Sequence, residues 1–561
     1  MKNNRQKALY ITVSVVLITI FSTAWVFRNE SRDFKLQKNM DIFYSLIREL
    51  NAFYVHELKP DELFKKTIDE MLGDLDPYTT YYPESEQDDF AFMTTGKYGG
   101  IGSQIRKSGD YTVLTNVYKG FPADLAGLKA GDILREVDGR SLKGMDAAGV
   151  SEALKGESGT TITVIIRREG KDIKKELTRK RISINPVPYY GMIDEETAYI
   201  RFTNFTQNCS DNVKEALVSL INEHNAQKVI LDVRSNPGGL LDEAVKIVNL
   251  FIGPGHEVVS TKGRVEKYDD THKTTGKAVD EDIPLLIMIN QNTASAAEIV
   301  AGALQDLDRA VIVGQRSFGK GLVQISRPLS YNTTLKVTTA EYYIPSGRCI
   351  QAIDFTNRNE DGSLGHIPDS LTSEFTTRNG RIVKDGGGIS PDYVVEATKL
   401  SHFSTQLYIR SLIFDFATRY YWNTDSIDKP GTFNIDDQAY SEFHTFLTER
   451  DFSYESATEN SLDRLRAMAK EEKYYENNKA LFEELESKLG HELGKDLELF
   501  RDEISRLLED EIIGRYYYEE GVIKHNLETD PQIKKALEVI NNESLYAATL
   551  EGSSGMLSIK N

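Results

Sequence analysis

The 561-residue sequence has little cysteine, few histidines and no excess of positive charge, and each shortage excludes a class of protein. Two cysteines, Cys209 and Cys349, are too few for a fold held together by disulfides; one bridge is allowed, but two small buried side chains are the simpler interpretation. The nine histidines are scattered, and no Cys/His cluster has the spacing of metal ligands, so we predict no metal and no other cofactor. The formal net charge of −19 argues against nucleic acid as a partner, because phosphate binding needs a basic surface.

What the sequence does have begins with an uncharged apolar run over Ala8–Phe27, preceded by basic residues. A helix of this length spans a bilayer whose hydrocarbon core is about 30 Å thick, and its basic flank is expected to stay in the cytoplasm. We interpret residues 1–30 as a membrane anchor; a cleaved signal peptide is the alternative, since Ser22–Ala24 resembles a cleavage site. Either interpretation predicts that the rest of the chain lies outside the cytoplasm, on the periplasmic side of the inner membrane.

Hydrophobic residues make up 40% of the chain, which is enough for several buried cores, and the pattern changes along the chain. Residues 33–95 read as a polar N-terminal helical segment, whereas residues 96–182 alternate short strands with glycine turns. Residues 400–561 have apolar side chains at helical spacing, which predicts a C-terminal helical domain. Residues 183–395 alternate apolar strands with helices, so the fold class is multidomain α/β. The main strands predicted there are Thr197–Phe202, Val229–Val233, Leu285–Ile289 and Ala310–Val313.

The segment 96–182 has a glycine-rich loop before its first strand, followed by the run Gly127–Leu134 and by Val137-Asp138-Gly139. With these motifs the segment resembles a PDZ domain. The resemblance implies a binding site for the C-terminal tail of a protein, which adds as a strand while the loop N–H groups bind its carboxylate. The alternative is a glycine turn in an ordinary small β-domain. The loop residues expected to bind the tail are Gly99, Gly100, Ile101 and Gly102.

Ser295 lies in the stretch Asn292–Glu298, between a predicted buried strand and a predicted helix. A serine at such a turn is exposed beside the positive end of a helix, and its small neighbours admit a substrate. A serine hydroxyl is a poor nucleophile until a base removes its proton. The alternative is structural, because Ser295 and Glu298 also have the spacing of a capping box.

Lys320 lies between two glycines in the stretch Ser317–Gln324. An uncharged lysine can serve as the base for a serine, provided that its pKa falls roughly 3 units below the usual value of about 10.4. This mechanism predicts that activity rises at mildly alkaline pH. Gln324 would share a strand face with Lys320 and could bond its amine. The alternatives are a surface lysine in a glycine turn and an exposed strand glutamine.

A third motif, Arg234-Ser235-Asn236-Pro237-Gly238-Gly239, follows another predicted buried strand. Backbone N–H groups at such a turn can stabilise an oxyanion, and the N–H of Ala296 would supply a second donor. We expect Gly238 and Ala296 to form this pair, with Gly239 as the alternative to Gly238. A plain strand–turn–helix connection is the structural interpretation of the same motif.

Taken in this order, the motifs resemble those of the carboxy-terminal processing peptidases, also called tail-specific proteases. The segments that carry the resemblance, over about residues 36–395, are Asp74–Thr79, the PDZ-like segment, Arg234–Gly239, Asn292–Glu298, Ser317–Gln324 and Gly387–Asp392. The resemblance implies a crotonase-like α/β peptidase core with an inserted PDZ-like domain. It also implies that Ser295 is the nucleophile, Lys320 the general base and Gln324 the residue that positions the lysine. Asn292, Ala297 and Leu322 depart from the commoner family residues, but none of these departures removes a catalytic group.

The predicted function is therefore a membrane-anchored serine endopeptidase acting on proteins with flexible or unfolded C-terminal tails. A second hypothesis is a catalytically silent PDZ adaptor on a peptidase-like core, against which the joint presence of Ser295, Lys320 and Gln324 counts. A third, an acyl-CoA enzyme of the crotonase type, fits the core but neither the apolar run nor the PDZ-like segment. The helical segment 400–561 lies outside the resemblance, and a homo-oligomer contact or a regulatory partner is a possible role for it.

Overall fold

A computed structural model describes residues 32–358, 364–454, 456–490 and 492–552. The chain divides into two compact units, residues 1–81 and residues 82–561. The apolar run Ala8–Phe27 lies outside the described residues. Within the described ranges, no helix combines the length and the apolar character needed to cross a membrane.

The first unit contains helices α1 (Arg32–Phe53) and α2 (Pro60–Gly73), and a short strand, β1 (Thr80–Tyr82), begins at its end. Helix α2 starts with a proline, whose missing N–H has no partner to lose in the first turn. Its first turn also contains acidic side chains, which interact favourably with the positive N-terminal end of the helix dipole. These helices confirm the predicted N-terminal helical segment.

The second unit opens with helix α3 (Gln87–Thr95) and continues into a β-rich domain. Strands β3, β4, β5, β7 and β8 form its antiparallel sheet in that spatial order, and β2 pairs with β9. The apolar faces of the sheet and of α5 enclose a core of their own. The bounds of the elements are β2 (Lys97–Gly100), β3 (Ser103–Ser108), β4 (Tyr111–Val117), α4 (Pro122–Leu125), β5 (Ile133–Val137), β6 (Arg140–Ser141), α5 (Ala147–Leu154), β7 (Thr161–Arg168), β8 (Lys171–Thr178) and β9 (Lys180–Ser183).

The central domain is built on a sheet with the order β10-β11-β12-β15-β16-β23, parallel except for β10. The predicted strands are confirmed to within one residue at either end. The elements are β10 (Tyr189–Met192), β11 (Thr197–Arg201), α6 (Cys209–Asn222), β12 (Lys228–Asp232), α7 (Leu241–Val248), β13 (Glu257–Gly263), β14 (Asp270–Lys273), β15 (Leu285–Ile289), α8 (Ala296–Asp306), β16 (Ala310–Gly314), β17 (Leu322–Leu329), β18 (Thr333–Tyr343), β19 (Ile353–Arg358), β20 (Leu364–His366), β21 (Glu374–Thr376), β22 (Ile382–Lys384) and β23 (Tyr393–Val394).

A second sheet lies beside the parallel one and contains the long antiparallel hairpin β17–β18. Strand β18 pairs with β17 and also with β13, which in turn pairs with β14. The sequence analysis placed a strand after Lys320 but did not recognise the hairpin. Lys320 lies on the loop from β16 to β17. The hairpin that follows this loop therefore determines which side chains lie beside Lys320.

The C-terminal helices divide between two cores. Helices α9 (His402–Ile409), α10 (Leu412–Asn423), α11 (Asp437–Glu449), α14 (Leu493–Leu499) and α15 (Arg501–Asn526) enclose a core of their own, and α12 (Ala457–Glu471) packs with α13 (Tyr475–Leu489). Helices α16 (Pro531–Asn541) and α17 (Glu543–Leu550) instead pack on the parallel sheet. Since α6, α7 and α8 cover its other face, the sheet is buried on both sides, as its wholly apolar strands require.

We expect Ile540→Ala in α16 to lower the free energy of unfolding by about 2–5 kcal/mol, because it leaves a cavity against the parallel sheet. Ile540 is 1% exposed, whereas Leu481 in α13 is 54% exposed, and Leu481→Ala is expected to cost about 0.5 kcal/mol or less. Denaturant unfolding of the two variants compares the sites. Equal shifts would mean that α16 does not contribute to the stability of the sheet.

Candidate active site

Ser295 lies on a strained turn between β15 and α8. Its backbone has φ +57° and ψ −120°, a combination that residues other than glycine rarely adopt. The turn is held from both sides, since the Thr293 hydroxyl donates to Val233 O at 2.9 Å and the Ala294 N–H donates to Asn236 O at 2.9 Å. A strained serine at a strand-to-helix turn presents its hydroxyl at the edge of the sheet, as hydrolase nucleophiles do.

The capping interpretation of Ser295 is half realised. The Glu298 carboxylate accepts the Ser295 N–H at 2.8 Å, but the Ser295 hydroxyl makes no capping hydrogen bond to a described residue. An N-cap residue usually has extended backbone, which Ser295 does not have. The hydrogen bond from the Ser295 N–H to the Glu298 carboxylate is thus the part of the predicted capping box that is clearly formed.

Lys320 lies on the tight loop between β16 and β17, and both flanking glycines are needed there. Gly319 has φ +85°, and a Cβ on it would come within 2.4 Å of the Ala352 Cβ. A Cβ on Gly321 would come within 2.8 Å of the Gln351 N, whose side chain accepts the Gly321 N–H at 2.7 Å. The structure thus confirms the tight backbone path predicted from the two glycines.

Glu298 joins the turn of Ser295 to the loop of Lys320. Its Oε2 accepts the N–H groups of Ser295 and Lys320, at 2.8 and 2.9 Å. Its Oε1 accepts the Gly319 N–H at 2.7 Å and the Ser317 hydroxyl at 2.5 Å. Burial raises the pKa of the Glu298 carboxyl, and the hydrogen bonds that it accepts oppose that rise. A single fully buried carboxylate therefore fixes both backbones relative to each other.

Two further contacts tie the same segments together. The Phe318 N–H donates to Thr293 O at 2.9 Å. The hydroxyl of Tyr342, a buried residue of β18, lies 3.2 Å from Ser295 O and 2.5 Å from Lys320 O. Neither Glu298 nor Tyr342 was assigned a role in the site from the sequence. Glu298 gave the signal of a helix cap, and Tyr342 gave none.

A cavity of about 500 Å³ is lined by Ser295, Lys320 and Gln324 together with Gly238 and Ala296. The structure thus brings the predicted catalytic and oxyanion residues to one place. Aliphatic, aromatic, glycine, hydroxyl and amide residues make up most of the remaining lining. Among the described residues, its lining contains no aspartate, glutamate or histidine, and its charged side chains are Lys320 and Lys336 of β18.

Gln324 lies on β17, the strand that follows the loop of Lys320, as predicted. Its Nε2 donates a hydrogen bond to the Thr338 hydroxyl at 3.1 Å. This bond crosses the β17–β18 hairpin, where Gln324 is paired with Thr338. It fixes the amide at the wall of the cavity. That Gln324 positions the Lys320 amine stays a prediction.

The loop after β12 has backbone hydrogen bonds that decide which N–H groups are available to an oxyanion. The Gly238 N–H donates to Asn236 Oδ1 at 2.9 Å, so this conformation already engages it. Neither the Gly239 N–H nor the Ala296 N–H donates to any described residue. A Cβ on Gly238 would lie 2.8 Å from both the Ala296 N and the Ser295 Cβ, which places the loop directly against the serine. Gly238 is thus the glycine nearer to Ser295, whereas Gly239, the alternative named from the sequence, has the N–H that is not already engaged; which of the two pairs with Ala296 stays a prediction.

A second cavity, of about 340 Å³, lies between β3 and α5 of the β-rich domain. Gly100 and Ile101 line it, but Gly99 and Gly102 do not. Gly99 is needed for close packing, because a Cβ there would lie 2.1 Å from Gly156 O, and Gly102 has φ +78°. Gly100 and Ile101 therefore line the cavity, whereas Gly99 and Gly102 permit the backbone conformation of the loop.

The other predictions for the site concern metals and cysteines. The described part of the chain contains no group of three or more His, Cys, Asp or Glu side chains that could hold a metal ion. Cys209 and Cys349 are both free thiols. Burial raises the pKa of each, in Cys349 to about 11, so neither is a reactive thiolate near neutral pH.

Comparison with known proteins decides the family. Residues 196–358 match the model of peptidase family S41, residues 113–168 a PDZ domain, and residues 403–540 the C-terminal helical domain of probable PDZ-proteases. A carboxy-terminal-processing protease of Bartonella bacilliformis is 33% identical over 63% of this chain and 81% of its own length. The chain belongs to the carboxy-terminal-processing proteases of family S41.

The family is also represented among other relatives of this protease. A probable CtpA-like serine protease of Staphylococcus aureus is 33% identical over 62% of this chain and 70% of its own length. The solved structure of a photosystem II D1 C-terminal processing protease is 27% identical over 63% of this chain and 86% of its own, with a TM-score of 0.36. The family models and the relatives from Bartonella and Staphylococcus show a serine-type enzyme with a PDZ domain, an S41 core and a C-terminal helical domain.

Proposed function

We propose that this protease is an endopeptidase that recognises flexible C-terminal tails of proteins and cleaves them with Ser295 as nucleophile and Lys320 as general base. The observation that carries the proposal is the double acceptance by Glu298, which holds the Ser295 and Lys320 backbones together at one cavity. None of the described residues that line this cavity is a histidine that could act as an alternative base.

In the proposed reaction the Lys320 amine takes the proton of the Ser295 hydroxyl as Oγ attacks the carbonyl carbon of the scissile bond. Backbone N–H groups of Ala296 and of Gly238 or Gly239 stabilise the resulting oxyanion. The intermediate collapses to an acyl-enzyme on Ser295, and the Lys320 ammonium returns its proton to the departing amine. Lys320 then activates a water molecule, which releases the acyl group and regenerates the serine.

The PDZ domain is proposed to bind the tail of the substrate in the cavity between β3 and α5. An exposed edge strand and a glycine loop supply the backbone groups that an extended peptide needs. The apolar run Ala8–Phe27, with its basic flank, supports a site of action outside the cytoplasm, on the periplasmic side of the inner membrane.

The experiment that tests this function is digestion of an unfolded protein with an apolar C-terminus by the full-length chain and by Ser295→Ala. We expect cleavage that requires Ser295. Ser151→Arg, which fills the cavity beside α5, is expected to lower kcat/KM for this substrate about tenfold, whereas Glu152→Arg, on the exposed side of α5, should change it less than twofold. Equal rates for the two variants would remove tail recognition from the proposal, and an inactive wild type would favour the adaptor hypothesis.

A further inference from the structure

Lys336 is a charged residue that lines the active-site cavity, and the proposed mechanism assigns no role to it. It lies on β18, where it is paired with Ser326 of β17. Alternate residues of a strand share a face, so Lys336 follows Thr338 on one face of the hairpin, about 7 Å along the strand. The Thr338 hydroxyl accepts a hydrogen bond from the Gln324 amide. Lys336 is therefore the next residue on this face after Thr338, which contacts the predicted catalytic residue Gln324.

The described surroundings of Lys336 provide no partner for its charge. Its ammonium makes no ion pair and no hydrogen bond with any described residue, and none of the described residues that line the cavity is a carboxylate. Lys336 is half-buried, and loss of hydration lowers its pKa, with no carboxylate opposing the change. A desolvated ammonium without a counter-charge is unfavourable. The presence of Lys336 at a substrate cavity therefore points to a ligand that supplies the missing negative charge.

We propose that Lys336 binds a carboxylate of the substrate, close to the scissile bond, and so makes the protease selective for acidic substrates at that position. An Asp or Glu side chain and the terminal carboxylate of the tail have the same chemistry, and both would reach an ammonium group in an extended peptide. This inference rests on the proposed peptidase function of the same cavity. A charged hydrogen bond of this kind changes kcat/KM by about tenfold to a hundredfold.

The test uses the full-length protein and a set of quenched fluorescent peptides built on one cleavable sequence. A single Asp or Glu is moved through the positions around the scissile bond, each peptide has an Asn or Gln twin, and each is made with a free and an amidated C-terminus. We expect one position at which the acidic peptide has a kcat/KM at least about tenfold above its amide twin. In Lys336→Met, which keeps the length of the side chain, this ratio should fall to about one.

Lys262→Met is the matched control, since Lys262 lies on the neighbouring strand β13, outside the lining of the cavity. It should keep the wild-type ratio. Lys336→Glu should reverse the preference, toward a peptide with Lys at the same position, and this reversal serves if Lys336→Met is poorly folded. The terminal carboxylate is the ligand only if the difference between free and amidated peptides, rather than that between side chains, disappears in Lys336→Met.

Three results overturn the inference in distinguishable ways. Peptides cut by the wild type with no preference for acid at any position, side chain or terminus, exclude a carboxylate subsite while the Ser295-dependent activity stands. A preference that survives unchanged in Lys336→Met assigns the carboxylate to another residue. Peptides and unfolded proteins that the wild type leaves uncut to the same extent as Ser295→Ala overturn the proposed function and this inference together.

Discussion

Ser295→Ala and Lys320→Met are each expected to reduce kcat for proteolysis by about 10⁴-fold or more, with little change in folding. The serine supplies the attacking oxygen, and Lys320 is the proposed acceptor of its proton at a cavity whose described lining contains no histidine, aspartate or glutamate. Because the two act in one step, the double variant should be no worse than either single variant. Cleavage of the unfolded protein, followed by gel and by mass, measures the loss.

Lys320→Arg is the control that separates a base from a positive charge. Arginine keeps the charge but does not lose its proton, so this variant should be as inactive as Lys320→Met. Thermal unfolding of all three single variants tests whether the loop between β16 and β17 is intact. Substantial proteolysis by folded Lys320→Arg would mean that the lysine acts only through its charge, and activity in Lys320→Met would assign the base to another group.

Glu298→Gln is expected to lower kcat about a hundredfold and to leave KM nearly unchanged. The carboxylate accepts four hydrogen bonds, whereas an amide keeps one acceptor oxygen and turns its NH2 group toward backbone N–H donors. The Ser295 turn and the Lys320 loop then lose their common anchor, and a displacement of about 1 Å between reacting groups costs about 10²-fold in rate. The reaction of Ser295 with a fluorophosphonate should slow by a similar factor.

Asp306→Asn provides a matched comparison at the other end of the same helix. Asp306 is also buried and pairs with Arg348 at 2.8 Å, but it does not line the active-site cavity. Both variants should lower the midpoint of thermal unfolding, because each weakens a buried polar network. If kcat per folded enzyme falls to the same extent in both variants, Glu298 contributes general stability and does not position the catalytic groups.

The local features of the core could be predicted from the sequence because each depends on a short stretch. Apolar runs located β15 and β16, and small residues after β15 located the start of α8. The two glycines around Lys320 correctly indicated a tight loop. Ser295 and Lys320 were proposed as catalytic residues in the same way, from short, distinctive motifs, and the structure places both at one cavity.

Features that depend on distant residues were missed. Glu298 was interpreted from its spacing to Ser295 alone, whereas its other bonds reach residues 317–320, which sequence spacing does not reveal. The β17–β18 hairpin is polar on much of both faces and lacks the simple alternation of a half-buried strand. Lys336 was not singled out from the sequence, because its distinction is the absence of carboxylates among the described residues that line the cavity, which come from several segments.

The position of α16 and α17 has a consequence for the order in which the enzyme becomes active. These helices cover one face of the sheet from which the Ser295 turn and the loop after β12 project, yet they are made after nearly all the rest of the described chain. A chain that has been synthesised only as far as Asn526 leaves apolar strands bare, and such a sheet does not hold its register or its turns. We therefore expect proteolytic activity only after α16 and α17 have folded onto the sheet, so the order of synthesis delays the active state until these helices have been made.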